Sequence, residues 1–172
     1  MLAIQNNNEL AYADLVRRHV DKVYGYMLKL TSNPEDAEDL VQETFLRVWN
    51  KSTTYKLGRV RFTSWLFTIA HNKFIDLYRK NKDRTEIYDE QMLAGNIEDL
   101  HQQEEKAQAL SVGLGILPEN QRVAILLSHN QGFTNAEIAT ILGSSVRAVE
   151  SMLSRGRKTL RRLLTEDTSH DI

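Results

Sequence analysis

Ala37, Leu40, Val41, Thr44, Phe45, Val48 and Trp49 stand at offsets 0, 3, 4, 7, 8, 11 and 12, the spacing of one buried stripe along an α-helix. Asn33 ahead of them can cap the helix, Pro34 suits its first position, and Glu35 and Asp36 face the positive end of its dipole. Comparable repeats run through most of the chain, which holds only eight glycines and two prolines in 172 residues, and no stretch alternates with the period of two that a strand requires. The expected fold class is therefore all-α. Besides the helix from Pro34, one helix is expected over about 8–31 and another over about 62–80, with a loop at 53–61. In the first of these, Leu10, Leu15, Val16, His19, Val23, Met27 and Leu30 are expected to face the core.

The length has room for one ordinary domain or two small ones, each with a modest core. A content of 41% hydrophobic and 26% charged residues is that of a chain that folds. There is no run of 18 apolar residues, and the opening MLAIQNNNELAYADLV lacks a basic flank followed by an apolar stretch, so a cytoplasmic location is expected. The absence of cysteine excludes disulfides, thiolate zinc sites and cysteine nucleophiles. The five histidines at 19, 71, 101, 129 and 170 have no ligand spacing, and no phosphate-binding glycine loop or nucleophile motif is present. Neither an enzymatic activity nor a metal, cofactor or small-molecule substrate is expected.

A formal net charge of −1 conceals an uneven distribution. From Lys56 to Arg84 eight Lys/Arg face two Asp, a net of +6; from Thr85 to Gln108 seven Asp/Glu face one Lys, a net of −6; from Arg147 to Arg162 six Lys/Arg face Glu150, a net of +5. Two basic blocks separated by an acidic one suggest two nucleic-acid contacts on one chain. The polar, acidic stretch places a linker at 83–108 between domains at 1–82 and 109–172. The tail at 165–172 is short and polar, and no appended domain is expected.

In the C-terminal domain, Leu117-Pro118-Glu119 marks a helix start, and Thr134-Asn135-Ala136-Glu137 reads as a capping box. The short helix it opens turns Ile138, Ala139, Ile141 and Leu142 inward and ends at Gly143, which suits a left-handed turn. Ser144 and Ser145 can cap the next helix, which carries Val146, Val149, Leu153 and Leu160 inward and Arg147, Glu150, Ser151, Ser154, Arg155 and Lys158 outward. Two helices about a glycine turn, the second basic and amphipathic, form a helix-turn-helix pattern whose second helix suits the major groove.

In the N-terminal domain the helix from Pro34 turns Asp36, Asp39, Gln42, Glu43 and Leu46 outward, and an apolar residue among acids suggests a face that a partner covers. The acids project away from the apolar stripe and lack Glu-x-x-His partners, which argues against a metal site. The segment KLGRVRFTSWLFTIAHNKFIDLYRKNKDR interleaves Phe62, Trp65, Phe67, Phe74 and Tyr78 with eight basic residues. Phe67, Phe74 and part of Trp65 are expected in the core. Ser64, Thr68, Asn72, Asp76 and Arg79 make a polar stripe beside them, and a basic aromatic platform next to a loop suits unstacked bases of a single strand.

Three segments carry a family resemblance. DAEDLVQETFLRVW, FTSWLFTIAHNKFIDLYRK, and LPENQRVAILL followed by FTNAEIATILGSSVRAVESMLSRGRKTLRRLL resemble, in order and spacing, the extracytoplasmic-function sigma factors of the sigma-70 family. The resemblance implies a subunit that binds core RNA polymerase and directs it to promoters by reading the −10 and −35 elements. It implies that Asp36, Asp39, Gln42, Glu43 and Leu46 dock on the coiled coil of the polymerase β′ clamp, and that the second domain meets the β flap. It assigns Lys56, Arg59, Arg61, Phe62, Ser64, Trp65, Asn72 and Arg79 to the −10 element, with the loop before Trp65 accepting a flipped base and Asn72 near the upstream edge. Arg147, Glu150, Ser151, Ser154, Arg155, Arg157 and Lys158 fall to the −35 element, and the acidic linker toward the polymerase cleft. An anti-sigma protein is an implied further partner. The chain departs from the family pattern at Glu150 and Met152, where basic residues are usual, and at Gly156, where alanine is usual. The alternative is a free-standing helix-turn-helix regulator, which would bind its operator duplex unaided.

Overall fold

A computed structural model describes residues 1–84, 110, 112–130 and 132–166, and among these every regular element is helical. The chain runs through α1 (Leu2–Gln5), α2 (Glu9–Thr31), α3 (Pro34–Asn50), a 3₁₀ turn (Ser52–Thr54), α4 (Phe62–Arg84), α5 (Glu119–Asn130), α6 (Asn135–Leu142) and α7 (Val146–Glu166), with a helical stretch at 112–116 before α5. The expected acidic linker at 83–108 lies, after its first two residues, outside the described residues.

Local chemistry sets the boundaries. The Asn8 side chain accepts from the Ala11 amide at 2.9 Å and starts α2, and Asn33 Oδ1 accepts from the Glu35 amide at 2.9 Å to start α3 just before Pro34. Ser32 takes the left-handed conformation (φ 53°) and ends α2 by donating its amide to the Leu28 carbonyl at 2.8 Å.

In the N-terminal domain Val23, Tyr26, Met27 and Leu30 of α2, the α3 stripe, and Leu66, Phe67, Ala70 and Phe74 of α4 form the core. Trp49 reaches back to Tyr12 with ring centroids 4.9 Å apart, so α2 and α3 run antiparallel. Leu10 departs from the expected core face and is 84% exposed. It lies 13, 17 and 20 residues before Val23, Met27 and Leu30, and at about 100° per residue it therefore faces the opposite side of α2. The Tyr26 hydroxyl sits 3.4 Å from His71 Nδ1, and burial pushes the His71 imidazole down to about 4 and keeps it neutral.

In the C-terminal domain Val123, Ala124, Leu126 and Leu127 of α5 pack with Ile138, Ala139 and Ile141 of α6 and with Val149, Leu153 and Leu160 of α7. Gly143 adopts φ 58° between α6 and α7, the turn expected there. Val146, expected inward, is 42% exposed, because as the first residue of α7 it stands at the end of the packed layer. Gly156 is buried against α5, and a Cβ built there would lie 2.5 Å from Ile125 Cδ1 and 3.4 Å from Gln121 Cβ. Close approach of α7 to α5 thus accounts for glycine at this position.

The two cores meet. α4 packs on α6 and α2 on α5, and Phe67 lies between Tyr26 (5.3 Å) and Phe133 (5.2 Å), edge to face with both. Arg122 of α5 is buried, desolvation lowers its pKa, and its Nε has no hydrogen-bond partner among the described residues.

Candidate nucleic-acid interface

The loop before α4 is held from below. Tyr55 is buried, its ring packs on Phe62 (5.9 Å) and Trp65 (5.3 Å), and its hydroxyl donates to the Val60 carbonyl at 3.1 Å. Gly58 provides a left-handed turn (φ 83°) that most other residues would adopt only with strain. Phe62 also meets His19 at 5.3 Å. With the aromatic side chains turned in, Lys56, Arg59 and Arg61 are exposed around the loop, while Phe62 and Trp65 are half-buried.

The polar stripe of α4 begins at this loop. Asn72, Asp76 and Arg79 are exposed, Thr68 is half-buried and donates to the Ser64 carbonyl at 2.8 Å, and Ser64 is only 2% exposed. Its first residue is therefore covered, and the cover is α6. Glu137 Oε1 accepts from Ser64 Oγ at 3.2 Å and from Arg61 Nη1 at 3.1 Å, while Oε2 accepts from the Thr134 amide at 2.9 Å. The Thr134 backbone amide, followed by the hydroxyls of Thr134 and Ser64 and the charge of Arg61, holds the Glu137 carboxyl below its ordinary range, against the opposing effect of burial. The capping box at Thr134 and Glu137 is present as expected, but its part in binding a loop some seventy positions earlier has no sequence signature.

On α3, Asp39, Gln42, Glu43 and Leu46 are exposed and Asp36 is half-buried. Leu46, at 60% exposure, is the apolar residue of this acidic face. Glu43 pairs with Lys73 Nζ of α4 at 2.8 Å.

On α7, Arg147, Glu150, Ser154, Arg155, Arg157 and Lys158 are exposed and Ser151 is half-buried. Ser145 Oγ accepts from the Ala148 amide at 3.1 Å and caps the helix. Glu150 forms no ion pair with any described residue, Arg147 included. Asn120 and Gln121 of α5, which periodicity did not single out, line an open groove of about 230 Å³ together with Ala148, Ser151, Met152 and Arg155. Met152, where the family pattern has a basic residue, is half-buried and packs against the hydrophobic core. Among the described residues no group of His, Asp and Glu could hold a metal ion, and no helix is long and apolar enough to cross a membrane.

Two regions of the chain match known families: residues 15–84 match sigma-70 region 2, and residues 108–160 match sigma-70 region 4. The ECF RNA polymerase sigma factor SigM of Bacillus subtilis (strain 168) is 30% identical over 153 residues, which cover 87% of this chain and 93% of SigM. SigE of Mycolicibacterium smegmatis is 34% identical over 165 residues, 92% of this chain but only 63% of that longer protein. Among solved structures, CnrH in complex with the cytosolic domain of CnrY aligns with a TM-score of 0.74 at 29% identity, covering 96% of this chain and 95% of CnrH. RpoE in complex with the anti-sigma factor NepR from Bartonella quintana aligns with a TM-score of 0.72 at 27% identity, covering 90% and 97% of the respective chains. With both regions present in order, the chain belongs to the extracytoplasmic-function sigma factors of the sigma-70 family, which serve RNA polymerase in transcription initiation.

Proposed function

We propose that the division of labour follows the surfaces. The acidic face of α3, with Asp36, Asp39, Gln42, Glu43 and Leu46, docks on the β′ clamp coiled coil of core polymerase. The loop and α4, with Lys56, Arg59, Arg61, Phe62, Ser64, Trp65, Asn72 and Arg79, open and hold the −10 strand. The outer face of α7, with Arg147, Glu150, Ser151, Ser154, Arg155, Arg157 and Lys158, reads the −35 element. In this reading residues 1–82 and 109–172 are the two domains, 83–108 is the linker, and the chain is a cytoplasmic specificity subunit without catalytic residues of its own. An anti-sigma protein is a partner in this proposal, supported by the complexes of the similar CnrH and RpoE.

The observation that carries the proposal is Leu46, exposed among carboxylates on a helix whose opposite face is fully committed to the core. Run-off transcription on fragmented genomic DNA tests it: discrete transcripts appear only with core polymerase and this chain together. A free-standing regulator would instead bind duplex DNA alone and yield no new transcripts.

A further inference from the structure

The loop proposed to hold the −10 strand is tied to a part of the chain that precedes the region 2 match at residue 15. Gln5, the last residue of α1, donates through Nε2 to the Ser52 carbonyl at 2.8 Å and to the Tyr55 carbonyl at 3.0 Å. A primary amide nitrogen carries two hydrogens, and here each has one acceptor. Both acceptors belong to the 3₁₀ turn and its C-cap: the Ser52 carbonyl also accepts from the Tyr55 amide at 3.2 Å, so Gln5 fills its second lone pair, and Gln5 reaches the Tyr55 carbonyl just past the end of the turn, where the 3₁₀ ladder stops.

The anchor itself is fixed. Ile4 is buried, and the amides of Asn6 and Asn8 donate to the Ala3 carbonyl at 3.1 Å each, while Asn7 (φ 58°) donates to the Ile4 carbonyl at 2.9 Å. This tight return connects α1 directly to the start of α2. From the Gln5 contacts the chain passes to Tyr55, whose ring and hydroxyl hold Trp65 and Val60, and then to the exposed Lys56, Arg59 and Arg61. The loop is thus secured at its entry by Gln5, across its middle by Tyr55 and at its exit by α4.

We infer that Gln5 is a positioning residue for promoter opening: it touches no DNA and sets the loop that does, so that the loop need not be ordered when the strand is captured. A loop ordered before binding loses less conformational freedom on binding. The inference rests on the proposed role of this loop.

The test uses holoenzyme assembled with wild-type chain, Gln5→Glu and Gln5→Met. Glutamate keeps the shape but cannot donate and sets a charge against two carbonyl oxygens; methionine keeps the length and removes the donors without charge. Both variants are expected to slow open-complex formation on a duplex promoter about tenfold. Both should also weaken the fluorescence gain of 2-aminopurine placed at the flipped −10 position. Core affinity should stay near wild type, the melting temperature should fall by only a few degrees, and a template with a pre-melted −10 region should restore most of the rate. Should Gln5→Glu fail to fold, Gln5→Met carries the test. Wild-type opening rate and base-unstacking signal in a folded variant would overturn the inference, and so would a loss of core binding equal to the loss of opening. Failure of wild-type holoenzyme to form open complexes at all would instead count against the loop's proposed role.

Discussion

Arg61 Nη1 donates to Glu137 Oε1 at 3.1 Å, although 76 positions separate them in the chain. One carboxylate thus completes a helix cap in the second domain and binds the loop of the first. Because its folded pKa is depressed, its stabilisation is fully present above the unfolded carboxylate value and is lost as pH falls through the folded one. The Arg61 side chain is 69% exposed, which limits the ion pair to about 0–1 kcal/mol. Glu137→Gln keeps one acceptor for the Thr134 amide but turns an NH2 toward the Ser64 and Arg61 donors, and should cost about 1–3 kcal/mol at pH 7. Melting curves across pH should show the difference from wild type shrinking in acid. A gap that persists below the depressed pKa would assign the effect to packing instead.

The α3 face offers a control that separates docking from stability. Asp39→Lys with Glu43→Lys should weaken core polymerase binding, while the lost pair with Lys73, partly exposed, costs only about 0–1 kcal/mol of stability. Adding Lys73→Glu restores an opposite-charge pair at this contact. Polymerase affinity should remain low in the triple variant, and recovery of affinity with the pair would show that the face acts only through the fold.

Glu150 has no cation partner among the described residues and stands exposed on the face of α7 that carries Arg147 and Arg155. A carboxylate there is tolerated near phosphates where it accepts from a cytosine amino group. Selection of a −35 library with Glu150→Ala holoenzyme should show preference relaxed at one base pair by about 1–3 kcal/mol. Identical preferences with uniformly tighter binding would mean that the residue is solvated and merely repels the backbone.

At Gly156 two effects oppose each other. Alanine would bring its Cβ to 2.5 Å from Ile125 Cδ1, the movable end of a half-buried side chain, whereas replacing glycine inside a helix favours folding by about 1 kcal/mol. Gly156→Ala alone should therefore change stability by less than about 1 kcal/mol. In an Ile125→Val background, where the clashing methyl is gone, the same change should stabilise by about 1 kcal/mol, and denaturant unfolding of the four proteins measures the coupling. Strict additivity would remove Ile125 as the reason for glycine.

Much of the architecture was legible in short-range pattern. The α3 stripe, the capping box at Thr134, the turn at Gly143 and the Ser145 cap all depend on residues within a few positions of one another, where helix geometry is fixed. Leu10 falls off the buried stripe because an apolar residue near a helix start need not share the angle of the residues that follow it. Periodicity places Phe67 in the core, but it tells which face is buried and not what buries it, so the contact with Phe133 has no local signal. The same limit hid Gln5, Arg122 and the second role of Glu137, each of which depends on a residue far along the chain. Exposure of Leu46 was legible because it interrupts a run of acids on one face.

If Ser64 contacts the −10 strand as proposed, its burial beneath Glu137 makes DNA affinity a property of a population. A ligand that requires Ser64 selects only those molecules in which α6 has moved away, and its apparent dissociation constant is the intrinsic one divided by their fraction. With about one molecule in a hundred open, binding would be about a hundredfold weaker than the exposed surface could achieve. Anything that holds the two domains apart then raises affinity for the −10 strand without touching DNA, and by reciprocity the strand tightens the grip of whatever does so.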